Sequence, residues 1–307
     1  MSNSARAVVV AGPTGSGKSD LALELAGSIG GEIVNCDSVQ LYRYMDIGSA
    51  KTPVDERRGI PHHLLDILNP DQVFTAGDYM REGRAVLREI ASRGKIPIVA
   101  GGTGFYLRAL LDGLFEGPPR DEDLRARLSR RKPGSLHRLL TRFDPDAARR
   151  IHRNDTQKLI RALEICLLSR APMTSLHRHS RLPLEDFEVV KIGLDPPREQ
   201  LTERIHTRCQ RMFDRGLVEE TRSILAHGFP AESKALESIG YREALLHLSG
   251  IISIEEAVAQ TQIATRQYAK RQRTWFRREP AIYWIPGFGN QWQTIEHAKR
   301  HVEFSRK

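Results

Sequence analysis

Val8-Val9-Val10-Ala11-Gly12-Pro13-Thr14-Gly15-Ser16-Gly17-Lys18-Ser19-Asp20-Leu21 joins a β-branched run to a Gly-x-x-x-x-Gly-Lys-Ser loop and then to a helical stretch. A strand, a glycine-rich turn and a helix in that order form the local unit of a P-loop α/β core. The glycines let successive backbone N–H groups turn inward toward phosphate oxygens, and the helix N-terminus adds partial positive charge. On this reading Lys18 reaches the outer phosphate and the Ser19 hydroxyl ligates a magnesium ion. The loop does not say which phosphorylated compound it holds.

Outward from that loop, short apolar runs at 32–36 and 98–100 alternate with segments of helical period at 20–29 and 76–93. Such alternation predicts a parallel sheet flanked by helices. Past residue 115 the pattern changes. Gly117-Pro118-Pro119 breaks the chain, and helical segments follow with few strand signals. Ser135 is a candidate cap for one helix, and Asp144-Pro145 supplies a cap and first residue for the next. An apolar run at 187–194 then returns the chain to the sheet. The expected organisation is a first part of the core over 1–117, a helical insertion over 118–186, completion of the core with basic helices over 187–285, and a tail over 286–307.

The 307 residues carry 47 Lys and Arg against 38 Asp and Glu, a net charge of +9. Residues 1–115 hold twelve basic against thirteen acidic residues, so the excess lies in the remainder. A few phosphates need no such field, whereas an extended polyanion such as RNA or DNA does. Three scattered cysteines, Cys36, Cys166 and Cys209, offer neither a disulfide framework nor metal-ligand spacing. His62-His63 and His177/His179 lack acidic or cysteine partners at ligand spacing. The short apolar run at the N-terminus does not suit a signal peptide, and no stretch approaches a membrane span. A cytoplasmic monomer is expected.

Two helices carry basic stripes. Arg204, Arg208, Arg211 and Arg215 follow one another at helical spacing. Gln262, Arg266, Lys270, Arg273 and Arg277 share a face of a helix that Ser253 and Glu256 open as a capping box, with Tyr268 and Trp275 alongside. Asp37 follows the second strand, where parallel sheets gather ligands, and can act as a general base or hold magnesium through water. The strand at 98–100 ends in Gly101-Gly102-Thr103-Gly104 rather than in the aspartate that orders magnesium in a nucleoside triphosphatase. That argues against ATP hydrolysis as the main activity.

Seven segments in order, Gly12 to Ser19, Asp37 to Tyr42, Ile47 to Lys51, Gly101 to Tyr106, Gln157 to Glu164, Gly240 to Glu243 and Lys270 to Arg277, resemble the tRNA dimethylallyltransferase family. Ser49 departs mildly, standing where threonine is usual. The resemblance implies transfer of a dimethylallyl group from dimethylallyl diphosphate to N6 of the adenosine 3′ of the anticodon, in tRNAs reading codons that begin with U. It makes Asp37 the general base, places Thr103 and Arg208 near the breaking bond, and turns the Gly12 to Ser19 loop into a holder for a leaving diphosphate with Mg2+ on Ser19. It assigns tRNA contacts to Asp37, Ser38, Val39, Gln40, Thr103, Arg125, Gln157, Lys158, Arg161, Gly240, Tyr241, Arg242, Lys270, Arg271, Gln272, Arg273, Trp275 and Arg277. The target base would leave its stack to meet the donor in a channel. Competing readings are an adenylate isopentenyltransferase, a P-loop small-molecule kinase and a nucleotide-switched RNA-binding protein.

Overall fold

The computed structural model describes residues 4–115, 117–179 and 182–304, with the side chains of 177–179 outside the description. The His177/His179 pair therefore lies outside the described side chains. The chain divides into two compact units, 1–110 with 185–307, and 111–184. Among the described residues no helix is long and apolar enough to cross a membrane.

The larger unit is built on six strands: β1 (Ala5–Ala11), β2 (Gly31–Asn35), β3 (His62–His63), β4 (Ile96–Ala100), β5 (Phe187–Asp195) and β6 (Ile282–Pro286). Their order is β3-β2-β4-β1-β5-β6, and every neighbouring pair is parallel. Central β1 is flanked on both sides, with Val10 opposite Ala100 and Ile192. Residues 7–11 of β1 are all buried, so side chains on both faces of the sheet are covered, which explains a continuous apolar run and not an alternating one. Helix α1 (Lys18–Ile29) starts at Gly17 and stops at Gly30, both left-handed. Leu21 and Leu25 of α1 bury against Val8, Val10, Ile98 and Ile192. Helix α2 (Ala76–Ser92) opens with a capping box between Thr75 and Asp78, and α3 (Gly104–Asp112) follows β4.

The smaller unit holds α4 (Glu122–Ser129), α5 (Pro133–Phe143), α6 (Pro145–Arg150), α7 (Thr156–Ser169) and α8 (Met173–His179). Leu128, Leu136, Leu140, Leu159 and Leu163 form its core. It begins before the Pro-Pro break, because Leu184 N–H donates to Leu111 O at 2.7 Å and joins its two ends. Helix α5 starts ahead of Ser135, with Pro133 in its first turn, so Ser135 is not the cap. Asp144 does cap α6, accepting from Ala147 N, and is itself buried.

The chain then adds α9 (Arg198–Asp214), α10 (Leu217–Ala226), α11 (Tyr241–Leu248), α12 (Ile254–Phe276) and α13 (Trp292–Phe304) to the larger unit. Within the segment expected as a tail, residues 292–304 form α13. Ala298 and Val302 of α13 are fully buried in the same core as α1. Thr294, Ala298 and Val302 share the buried face of α13 at helical spacing. Strand β3 is only two residues long, too short for any alternation to show.

Candidate active site

The carboxyl ends of β1, β2 and β4 bring three loops together, as strand order in an open parallel sheet requires. After β1, Gly12, Gly15 and Gly17 take φ values of 148°, 81° and 84°, which side chains with a Cβ rarely adopt. The loop curls over Lys18, whose Nζ donates to Pro13 O at 2.9 Å. Thr14 N–H donates to Gln272 Oε1 at 2.8 Å, and Gly289 N–H donates to Ser16 O at 2.9 Å. The loop is thus held from two other parts of the chain. Burial lowers the Lys18 pKa to about 8, opposed by the nearby Asp37 carboxylate and reinforced by the Arg208 guanidinium.

After β2, Asp37 Oδ1 accepts from Val39 N–H at 2.9 Å, an Asx turn that fixes the direction of the carboxylate. Asn35 supports the same turn, accepting from Asp37 N–H and donating to Asp37 O and Leu64 O. After β4, Gly101 passes so close to β2 that a Cβ would lie 2.1 Å from Cys36 O. That approach lets Thr103 N–H donate to Cys36 O, and Thr103 Oγ1 accept from Ser38 N–H at 3.0 Å. The Thr103 hydroxyl is therefore engaged in holding the turn that carries Asp37.

A cleft of about 1180 Å³ opens over these loops, lined by Gly15, Lys18, Ser19, Asp37 and, from α9, Arg204, Arg208, Arg211 and Arg215. The first arginine stripe of the sequence faces this cleft. Burial lowers the Arg208 pKa, with Asp37 and Asp20 among the charges that act against the shift. A second cavity of about 250 Å³ is lined by Ser38, Val39, Ser238, Ile239, Thr265 and Tyr268. Thr14, Asp37, Ser49, Arg208 and Met212 line both. A carboxylate and a guanidinium stand where the two spaces meet.

Other residues singled out in the sequence are placed differently. Gln272 is buried, its amide bridging Thr14 N–H and Gly102 O, the latter at 2.8 Å. Tyr241 is fully buried and donates its hydroxyl to Glu220 Oε1 at 2.6 Å, and Gly240 is buried beside it. The Gln272 amide and the Tyr241 hydroxyl are thus both engaged within the chain. Gln40 donates to Ser49 O at 3.1 Å. Lys270, Arg271, Arg242 and Arg277 are exposed. Arg273 and Arg277 both pair with Asp195, at 2.6 and 2.8 Å. Trp275 packs on Gly104 and lies under the Arg108 guanidinium, 4.5 Å from the ring centroid. In the smaller unit, Gln157 and Lys158 are exposed, while Arg125 and Arg161 both bind the buried Glu164, at 3.1 and 2.6 Å.

Phe288 and Asn290 also line the large cleft, and Arg204 lies over the Phe288 ring at 4.2 Å while donating to Asn290 Oδ1 at 3.1 Å. No local sequence signal marks that pair. They reach the site because β6 delivers the 287–291 turn to the carboxyl edge of the sheet. Among the described residues no group of three His, Cys, Asp or Glu side chains could hold a metal ion.

Residues 40–279 match the family described as IPP transferase. The chain is 55% identical over 298 residues to the tRNA dimethylallyltransferase of Solibacter usitatus, covering 96% of this chain and 97% of that one. It is 53% identical to the tRNA dimethylallyltransferase of Koribacter versatilis, covering 97% and 98%. Among solved structures it resembles the full-length tRNA isopentenylpyrophosphate transferase of Bacillus halodurans, at 34% identity and a TM-score of 0.73 over 97% of this chain and 96% of that one. A eukaryotic dimethylallyltransferase crystallised acting on tRNA superposes with a TM-score of 0.84 at 29% identity, covering 99% of this chain and 79% of that one. On this sequence identity across nearly its whole length, the chain belongs to the IPP transferase family, the tRNA dimethylallyltransferases.

Proposed function

We propose that this enzyme transfers a dimethylallyl group from dimethylallyl diphosphate to N6 of the adenosine 3′ of the anticodon in tRNAs reading U-starting codons. The observation that carries the reading is the position of Asp37, which lines both the arginine-lined cleft and the second cavity. A diphosphate in the large cleft lies against the Gly12 to Ser19 backbone, Lys18 and Arg208. The extruded adenine arrives through the smaller cavity. Asp37 accepts the N6 proton as the new C–N bond forms and the C–O bond to the diphosphate breaks. An exocyclic amine on adenine is a weak nucleophile, so a positioned base and a stabilised leaving group both contribute.

Ser19 at the N-terminus of α1 supplies a hard oxygen ligand, and with phosphate oxygens it makes a set suited to Mg2+. Bound there, magnesium would neutralise charge on the departing diphosphate. Lys18 and Arg208 work on the same charge from the protein side. Arginines on the exposed face of α12 and on the smaller unit fit the phosphates of an anticodon stem-loop, and the chain acts as a cytoplasmic monomer. An adenylate acceptor would leave this surface without a role.

The test is transfer of label from radiolabelled dimethylallyl diphosphate with magnesium, to unmodified tRNA and in parallel to AMP, with Asp37→Ala alongside. Label in tRNA alone, lost in the variant, is expected. Label in AMP, or turnover of ATP without transfer, would overturn the reading.

A further inference from the structure

Residues 47–49 form part of the wall where the two cavities meet. Ile47 and Ser49 line the large cleft, and Gly48 and Ser49 line the smaller cavity. A single carboxylate holds this wall. Glu220, in the first turns of α10, accepts from Asp46 N–H at 3.0 Å and Ile47 N–H at 2.8 Å through Oε2. Through Oε1 it accepts from Gly48 N–H at 3.2 Å and from the Tyr241 hydroxyl at 2.6 Å. Three consecutive amides converging on one carboxylate resemble an anion-binding nest filled by the protein's own side chain. The buried Tyr241 phenol, with its pKa pushed well up by burial and by Glu220, stays a donor to that carboxylate.

The packing beneath is equally restrictive. A Cβ on Gly48 would lie 2.4 Å from the Tyr241 ring, so the ring can sit under the loop only because residue 48 is glycine. From the wall, Ser49 O accepts from Gln40, which lies in the turn that begins at Asp37. On the other side Lys51 is buried and donates to Asp46 Oδ1 and Asp66 Oδ1, at 2.5 and 2.6 Å.

We propose that Glu220 is a positioning residue for the transfer reaction: its carboxylate sets the 46–48 backbone, and through Gln40 the space facing Asp37, without touching either substrate. This rests on the reading of Asp37 as the base. A carboxamide in its place would turn an N–H₂ toward backbone N–H donors and lose charge-assisted bonds. A displacement of about 1 Å at a reacting centre lowers turnover on the order of a hundredfold.

The experiment compares wild type, Glu220→Gln and Gly48→Ala by steady-state transfer kinetics, magnesium pyrophosphate binding and amide hydrogen exchange. Expected for Glu220→Gln is a fall in kcat of tenfold or more. KM for dimethylallyl diphosphate and pyrophosphate affinity should stay within about threefold, with faster exchange confined to 46–48 and its neighbours. Gly48→Ala, which leaves the carboxylate intact but pushes the loop off the Tyr241 ring, should share that signature. Unchanged kcat in Glu220→Gln, or a loss that tracks pyrophosphate affinity or global exchange, would overturn the proposal. Absence of transfer by wild type would instead overturn the function, while the exchange pattern still reports the anchor.

Discussion

Lys18 links phosphate binding to protons. Burial brings its pKa from 10.5 to about 8, which corresponds to about 3 kcal/mol against the charged form. Below pH 8 the ammonium is present both folded and unfolded, and the free protein carries that penalty in full. Between about pH 8 and 10.5 the folded protein has released the proton and the unfolded chain has not, so this group's contribution to stability improves as pH rises. A diphosphate beside Nζ favours the charged form and returns the pKa toward or above its ordinary value. Binding above pH 8 therefore draws in a proton, and the dissociation constant should weaken by up to tenfold per pH unit. Titration calorimetry with magnesium pyrophosphate from about pH 7 to 9.5, in two buffers of different ionisation enthalpy, counts the proton directly. Lys18→Arg is the control, because a guanidinium stays charged throughout and reports the ligand's own titration. A constant ratio of the two proteins' affinities across that range, or no proton uptake near pH 9, would refute the argument.

Asp37→Asn should lower kcat by about 10²–10⁴-fold with little change in pyrophosphate affinity, since a general base contributes about that much; single-turnover transfer measures it. Glu164→Gln leaves Arg125 and Arg161 facing a neutral buried group and should destabilise the smaller unit by about 3 kcal/mol, read from chemical denaturation. Gly289→Ala places a Cβ 2.0 Å from Gly17 O, and should weaken pyrophosphate binding at least tenfold by shifting the glycine-rich loop. Wild-type affinity in that variant would show that the 287–291 turn does not hold the loop. Asp195→Asn frees Arg273 and Arg277, so tRNA binding should tighten and its salt dependence steepen, as filter binding at several ionic strengths would reveal.

The sequence by itself determined the parts whose reason is local. Val8 to Ser19 is strand, glycine loop and helix because side-chain shape and missing Cβ atoms leave little choice, and the structure keeps that order. The Ser253 cap and the arginine spacing on α9 are likewise properties of neighbouring residues. What only the tertiary structure decided depends on residues far apart in the chain. The family resemblance implies RNA contacts for Gln272 and Tyr241, and nothing in the neighbouring sequence marks either as buried. Packing turned them into struts for Thr14 and Glu220. Helix α13 shares a core with α1 from the other end of the chain, a pairing that its own periodicity does not name. Glu220 is an ordinary helical glutamate in sequence, and only the close approach of the 46–48 backbone makes its carboxylate the anchor of the wall facing Asp37.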